Sequence, residues 1–202
     1  MAEDNTLSKD ASTSPAEVHK GSGVAVGKSP KRWYIGECKP TKERTIRTML
    51  TKDNYEVYVA SRAEEKVYKS RNRRIVEKIV IPGKVFVRTE DTRLMKIMLD
   101  YSSVHRFMIN RLSDARSYAF VPDDQMQQLQ YMLGNADNPV HITAADLKLN
   151  QKVKVMRGAL AGLEGWYYKE GHTSYIVIRV EMGSSQYIYT ELPLDDVQPV
   201  EE

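Results

Sequence analysis

The sequence predicts an α+β protein with two domains: an antiparallel sheet with flanking helices, followed by a small five-stranded β-barrel. From residue 31 onward, strand and helix periodicities follow in the order strand, helix, several strands, helix, strand, helix. This order is typical of an antiparallel sheet packed against helices. After residue 149, short apolar stretches predict about five strands, a number that fits a small barrel. The breaks between these strands lie at Gly171-His172, Gly183-Ser184 and Pro193.

Composition sets the boundaries of the two domains. Residues 1–30 contain no aromatic side chain and no periodicity, so we expect a disordered tail. The stretch Gly134–Asp146 is poor in core residues and rich in turn formers, which predicts a linker. We therefore expect the first domain at residues 31–133, a linker at 134–148 and the second domain at 149–202. The chain has no apolar run of signal-peptide or membrane-helix type, so we expect a cytoplasmic protein without a membrane partner.

The first domain begins with a strand at Lys31–Lys39 and a helix at Thr41–Asp53. In this helix Ile46, Met49 and Leu50 recur at helical spacing, and Thr41 is a plausible cap. Beyond it, the patterns predict a strand at Tyr55–Ala60, a hairpin of Glu65–Lys69 and Arg73–Ile81, a strand at Val85–Arg88, a helix at Thr92–Asp100, a strand at Val104–Ile109 and a helix at Asp123–Leu133.

The second domain opens with the stretch Lys152–Gly165. Val153 and Val155 alternate with lysines, as in a strand with one buried face. Three glycines then follow at spacings of four and three residues, which suits a tight loop that returns the chain into a second strand. Leu160 and Leu163 lie between these glycines, on the predicted loop.

Charge is distributed unevenly between the predicted domains. Residues 32–133 hold 20 basic and 13 acidic side chains, a net charge of +7, whereas residues 134–202 hold 6 basic and 10 acidic ones, a net charge of −4. A basic domain joined to an acidic one suggests two partners of different kinds. Random scatter of surface charge is the alternative.

The sequence offers little support for catalysis or for a bound cofactor. A single cysteine, Cys38, excludes an internal disulfide, and the four histidines are far apart, so we expect no metal and no cofactor. Neither a phosphate-binding glycine loop nor a nucleophile elbow is present. The adjacent aspartates at 123–124 and 195–196 point apart on a helix or strand. We therefore expect a binding protein rather than an enzyme.

Four motifs together resemble the NusG family. Trp33-Tyr34, the segment Ile81–Val87 (IPGKVFV), the strand Val104–Phe107 and a KOW motif at Lys152–Gly165 occur in the family's order. The resemblance implies a transcription elongation or antitermination factor whose first domain docks on the clamp helices of RNA polymerase. It also implies a KOW domain that binds the termination factor Rho or a small-subunit ribosomal protein. Residues 69–78 resemble the basic hairpin of operon-specific paralogues that control polysaccharide gene clusters. We also expect the protein to be a monomer.

The resemblance places three candidate sites on this sequence. The polymerase-binding residues would be Tyr34, Ile81, Pro82, Lys84 and Phe86. The nucleic-acid-binding residues, which would reach the non-template DNA strand, are Lys69, Arg71, Arg73 and Arg74. The KOW partner-binding residues would be Leu160 and Leu163. Each set has a simpler alternative. The polymerase-binding residues would be part of the first domain's core, the basic residues would be a charged strand edge that resists pairing with other strands, and the two leucines would close the end of the barrel.

The sequence also departs from the family's docking pocket, which is lined by aromatic side chains. Glu37, Ile81 and Lys84 stand at such positions. Ile81 can still fill an apolar pocket, but Lys84 must keep its ammonium in water. Either the docking surface is shifted or the polymerase carries a complementary acid. The alternative function is a KOW-containing RNA- or ribosome-binding module of the translation apparatus, which the net charge of −4 disfavours.

Overall fold

The computed structural model describes residues 29–67, 72–110 and 117–200, and within them the chain forms thirteen strands and three α-helices. The strands are β1 (Arg32–Cys38), β2 (Glu56–Tyr58), β3 (Ser61–Val67), β4 (Arg73–Ile79), β5 (Lys84–Thr89), β6 (Val104–Phe107), β7 (Phe120–Val121), β8 (Val140–Thr143), β9 (Lys152–Val155), β10 (Glu164–Glu170), β11 (Thr173–Glu181), β12 (Ser185–Glu191) and β13 (Val197–Pro199). The helices are α1 (Glu43–Lys52), α2 (Leu94–Asp100) and α3 (Asp123–Asn135).

The first domain is an antiparallel sheet with helices on both faces. Its strands run in the order β2-β5-β1-β6. The short strand β7 also pairs with β1: β7 lies along the first half of β1, and β6 lies along the second half. Successive side chains of a strand point to opposite faces, so Tyr34 and Cys38 pack with α1 and α2 while Trp33 and Ile35 pack with α3. The predicted antiparallel sheet with flanking helices is therefore confirmed.

The second domain is an antiparallel sheet of six strands in the order β13-β9-β10-β11-β12-β8. The five strands predicted after residue 149 are all present. The sixth, β8, comes from the segment predicted as a linker, which also contains the end of α3. Val140 and Ile142 alternate with polar residues in β8 and pack against the main apolar cluster. This alternation was the signal for a strand, hidden by the turn formers that precede it.

The two sheets share one apolar core, with α3 between them. A single cluster joins Trp33 and Phe86 of the first sheet, Met126 and Leu129 of α3, and core residues of the second sheet. The second-domain members are Val153, Val155, Leu160, Leu163, Ile176, Ile178, Val180, Met182 and Ile188. The amide of Glu181 also donates to Gln125 Oε1 in α3 at 2.8 Å. The domains therefore pack against each other in this structure.

The start of α1 differs from the prediction. Thr41 does not cap the helix: it has a φ of 82°, and the cap residue is Lys42, which makes no side-chain hydrogen bond to the helix. The first residue of the helix, Glu43, is fully buried instead, and its Oε1 accepts a hydrogen bond from the amide of Gly83 at 2.6 Å. This bond ties α1 to the turn before β5. The hairpin of β3 and β4 begins four residues earlier than predicted.

Candidate functional site

The predicted polymerase-binding residues do not form one exposed surface. Tyr34, Ile81 and Phe86 are buried, Lys84 is half-buried, and only Pro82 is exposed. Because Ile35 is the partner of Phe86 in the β1–β5 register, Tyr34 lies on the opposite face of the sheet from Phe86. The structure therefore groups Ile81, Pro82, Lys84 and Phe86 on or beside one face and separates Tyr34 from them.

The sequence reasoning missed Tyr58, which lies on the same face as Phe86. Tyr58 is the partner of Phe86 in the β2–β5 register, and the two ring centroids are 6.2 Å apart. Burial raises the pKa of Tyr58 to about 12. The alternation of Glu56, Val57 and Tyr58 indicated a strand, but the sequence did not show which face Tyr58 would share.

Glu37 and Lys84, the two polar residues at positions that are aromatic in the family's docking pocket, form an ion pair with each other. Lys84 Nζ lies 3.4 Å from Glu37 Oε1, and Arg106 on β6 donates its Nε–H to Glu37 Oε2. Partial burial alone would raise the pKa of Glu37, but the hydrogen bond from Arg106 and the charge of Lys84 outweigh it and lower the pKa. Lys84 therefore has its complementary acid within the chain, so a matching acid on a partner is not required. Arg106 remains 71% exposed at this edge.

A carboxylate anchors the hairpin of β3 and β4 to α1. Glu77 accepts hydrogen bonds from Arg44 Nε at 2.8 Å, Arg47 Nη1 at 2.7 Å and Ser61 Oγ at 2.6 Å. The hydrogen bond from Arg47, followed by those from Ser61 and Arg44, lowers the pKa of Glu77 to about 2. The carboxylate is therefore ionised throughout the physiological range, and it fixes the base of the hairpin.

The hairpin presents both basic and apolar side chains to solvent. Arg73 and Arg74 are exposed, and the guanidinium of Arg73 lies 3.6 Å from Glu65. Ile75 is 79% exposed and Val67 is 62% exposed. The other two predicted nucleic-acid-binding residues, Lys69 and Arg71, lie outside the described residues. In the described part, the hairpin thus carries only half of the predicted basic set, on a surface that is also apolar.

The predicted KOW partner-binding leucines are buried between the domains. Leu160 and Leu163 belong to the same apolar cluster as the buried side of α3. Beside them, the hydroxyl of Tyr131 on α3 donates to the carbonyl of Ala161 at 2.8 Å. A shallow groove of about 460 Å³ runs between α3 and this loop. In this arrangement the leucines serve packing, and neither is available to a second protein.

Hydrogen bonds also join the hairpin of β3 and β4 to the chain that follows α3. Arg62 on β3 donates to the carbonyls of Ala136 and Asn138, at 3.2 Å for Ala136. The Asn138 carbonyl also accepts a hydrogen bond from Thr190 Oγ on β12 at 3.3 Å. One turn of chain is therefore held by both domains.

The described ranges hold neither a cluster of metal-ligating side chains nor a helix that could cross a membrane. No group of three or more histidine, cysteine, aspartate or glutamate side chains there could hold a metal ion. None of the helices in the described ranges is long and apolar enough to span a bilayer.

Comparison with known proteins gives a family match over the first domain. Residues 31–130 match the sequence model described as "Transcription termination factor nusG". This is a family of transcription factors that are not enzymes, in agreement with the prediction. No curated protein sequence matches the chain.

Two solved structures align with the chain over most of its length. A structure of NusG from Thermotoga maritima, titled for its domain interaction, aligns with 87% of this chain and 100% of its own at 18% identity and a TM-score of 0.44. A structure of the MjSpt4:Spt5 complex aligns with 84% of this chain and 99% of its own at 12% identity and a TM-score of 0.27.

Proposed function

We propose that this protein binds transcribing RNA polymerase and modulates pausing or termination on selected operons, because residues 31–130 match the sequence model of the NusG family. The family match over the first domain is the observation that carries the proposal. The basic character of that domain, a net charge of +7 over residues 32–133, supports a partner that holds nucleic acid.

The proposed polymerase contact lies at one end of strands β5, β1 and β6, where Lys84, Glu37 and Arg106 are register partners, together with Pro82. We call this end of the sheet the proposed edge. Arg106 and Pro82 are exposed there, whereas Ile81 and Phe86 are buried. The buried pair would hold the nearby backbone in place, and the charged side chains would contact the clamp helices. Exposed charge at an interface contributes chiefly to specificity and to the association rate.

The hairpin is proposed to contact the non-template DNA strand. Arg73 and Arg74 are exposed near its distal end, and Glu77 fixes its base on α1. Arginines that neutralise phosphates release counterions, so such a contact would be salt-dependent and independent of sequence. A hairpin anchored on a helix loses little conformational entropy when it meets DNA.

We infer that the second domain binds Rho or a small-subunit ribosomal protein only after its loop leaves α3. Leu160 and Leu163 are buried against the shared cluster. Exposing one such side chain costs about 1.5–3 kcal/mol. A partner that captures both must supply this free energy, and polymerase binding that disturbs α3 would lower the cost.

Elongation complexes of the host polymerase test the proposal. The full chain would be titrated against complexes assembled on a scaffold with a free non-template strand, and retention measured by native gel. We expect Arg106→Glu to weaken retention severalfold. Arg93→Glu, an exposed residue just before α2 on the other face of the sheet, is the matched control. Equal binding of the two variants, or capture of ribosomes in preference to polymerase, would refute the proposed contact.

A further inference from the structure

Four aromatic side chains form a row across the second sheet. His141 on β8 stacks on Tyr189 of β12 at 5.3 Å between ring centroids, and Tyr189 meets Tyr175 of β11 at 5.4 Å. Tyr175 in turn lies 5.9 Å from Tyr168 of β10. One ring from each of four adjacent strands is therefore in contact with the next, and we call these four residues the aromatic row.

The aromatic row lies on the face of the sheet opposite the shared core. In β11 the core side chains are Ile176 and Ile178, so Tyr175 and Val177 point the other way. Val177 is nevertheless fully buried, which means that neighbouring side chains on this face are packed down on the sheet. The three tyrosines are half-buried and His141 is exposed. The rings are thus held in place while part of each remains open to solvent.

Charges on this face favour a cationic ligand. Its basic side chains on β9 and β11 lie beside carboxylates: Lys152 Nζ and Lys154 Nζ share Glu164, at 3.5 Å and 3.8 Å, and Arg179 Nε is 2.7 Å from Glu181. Glu191 is the partner of Tyr175 in the β11–β12 register, and Glu170 lies two residues after Tyr168, the partner of Tyr175 on β10. Neither carboxylate forms an ion pair within the described residues. Burial, followed by the charge of Glu170, raises the pKa of Tyr189.

We propose that the aromatic row binds an arginine-bearing, extended peptide segment of a partner protein. A guanidinium over the face of a tyrosine is attracted by the ring, and Glu170 and Glu191 would neutralise its charge. Four strands at a spacing of about 4.8 Å span about 14 Å, the length of four or five residues of extended chain. Aromatic surfaces of this kind also suit proline-rich segments, which lose little entropy on binding.

Single-stranded nucleic acid fits this surface less well. Stacking of bases on aromatic rings is accompanied in such sites by a positively charged groove that follows the phosphates. Here each basic side chain on β9 and β11 already lies beside a carboxylate, and a phosphate backbone along the row would also meet Glu170 and Glu191. The inference does not depend on polymerase binding, which involves the first domain.

A direct test uses the full chain and labelled peptides, without polymerase. The probes are fluorescein-labelled octapeptides of alternating proline and arginine, proline and lysine, and proline and glutamate, together with an oligothymidylate. We expect fluorescence anisotropy to show binding of the arginine peptide, weaker binding of the lysine peptide, and none of the glutamate peptide or the oligonucleotide.

Variants distinguish the row from non-specific attraction. A loss of about 1 kcal/mol per cation–π contact corresponds to about fivefold weaker binding, which we expect for Tyr175→Leu. Glu170→Gln with Glu191→Gln removes the flanking charge without disturbing the rings, so it tests the site even if the tyrosine variant folds poorly. Asp195→Asn, an exposed carboxylate before β13, is the control. No binding of the arginine peptide, equal binding by all variants, or preference for the oligonucleotide would overturn the proposal.

Discussion

Replacing Glu77 by glutamine tests whether one carboxylate anchors the hairpin. The pKa of Glu77 is lowered from 4.5 to about 2, and each unit of such a shift corresponds to about 1.4 kcal/mol. The full shift would give about 3 kcal/mol, but 31% of the side chain is exposed and solvent weakens the interaction. We therefore expect Glu77→Gln to lower the free energy of unfolding by about 1–2 kcal/mol at pH 7.

The lowered pKa of Glu77 also predicts how the stability difference between wild type and variant depends on pH. A carboxylate with a lowered pKa stabilises the folded state above its unfolded pKa of about 4.5, and the stabilisation disappears as the pH falls towards 2. Urea unfolding followed by tryptophan fluorescence at pH 7, 5 and 3.5 should show the wild type and the variant converging at low pH. Glu64→Gln, in an exposed pair with Lys78, is the control and should change stability by less than about 0.5 kcal/mol. A Glu77→Gln loss that does not vary with pH would refute the electrostatic account.

Three further changes probe the packing, the hairpin and the domain contact. Gly165→Ala should destabilise the second domain by about 1–3 kcal/mol in thermal unfolding, because the new Cβ would come within 2.5 Å of a backbone oxygen on β11. The control, Gly134→Ala on α3, places its Cβ in open space and should be neutral or stabilising. The double variant Arg73→Ala, Arg74→Ala should bind elongation complexes more weakly, and its binding should depend less on salt concentration. Its circular dichroism spectrum should not change. A salt dependence equal to that of the wild type would contradict the DNA contact. Tyr131→Phe removes a 2.8 Å hydrogen bond between the domains and should speed amide exchange in the loop at residues 158–163, with unchanged exchange as the contrary result.

Local sequence patterns predicted most of the fold. Val153 and Val155 alternate with lysines and form β9, and the helical spacing of Ile46 and Leu50 gives the buried side of α1. Such patterns identify an element because one face is buried, whatever it is buried against. The same logic missed β8, where only Val140 and Ile142 alternate and turn formers surround them.

The candidate sites were harder to predict because they depend on which faces meet. Tyr34 and Phe86 are close in the predicted sheet, but strand register places them on opposite sides. The pairing of Glu37 with Lys84 joins residues 47 positions apart, and no local pattern connects them. Leu160 and Leu163 were correctly placed beside the loop glycines, but α3, which packs in the same cluster, is distant in sequence. Long-range contacts of this kind need the tertiary structure.

Site-specific photo-crosslinking tests most directly whether the first domain docks on polymerase through the proposed edge. A photoreactive residue would be placed at position 82, beside Lys84, or at position 99 on α2, where Leu99 is 77% exposed on the other side of the sheet. With host elongation complexes, our account predicts a crosslink from position 82 to a large polymerase subunit and little from position 99. Crosslinking from position 99 alone, or from neither position, would contradict it.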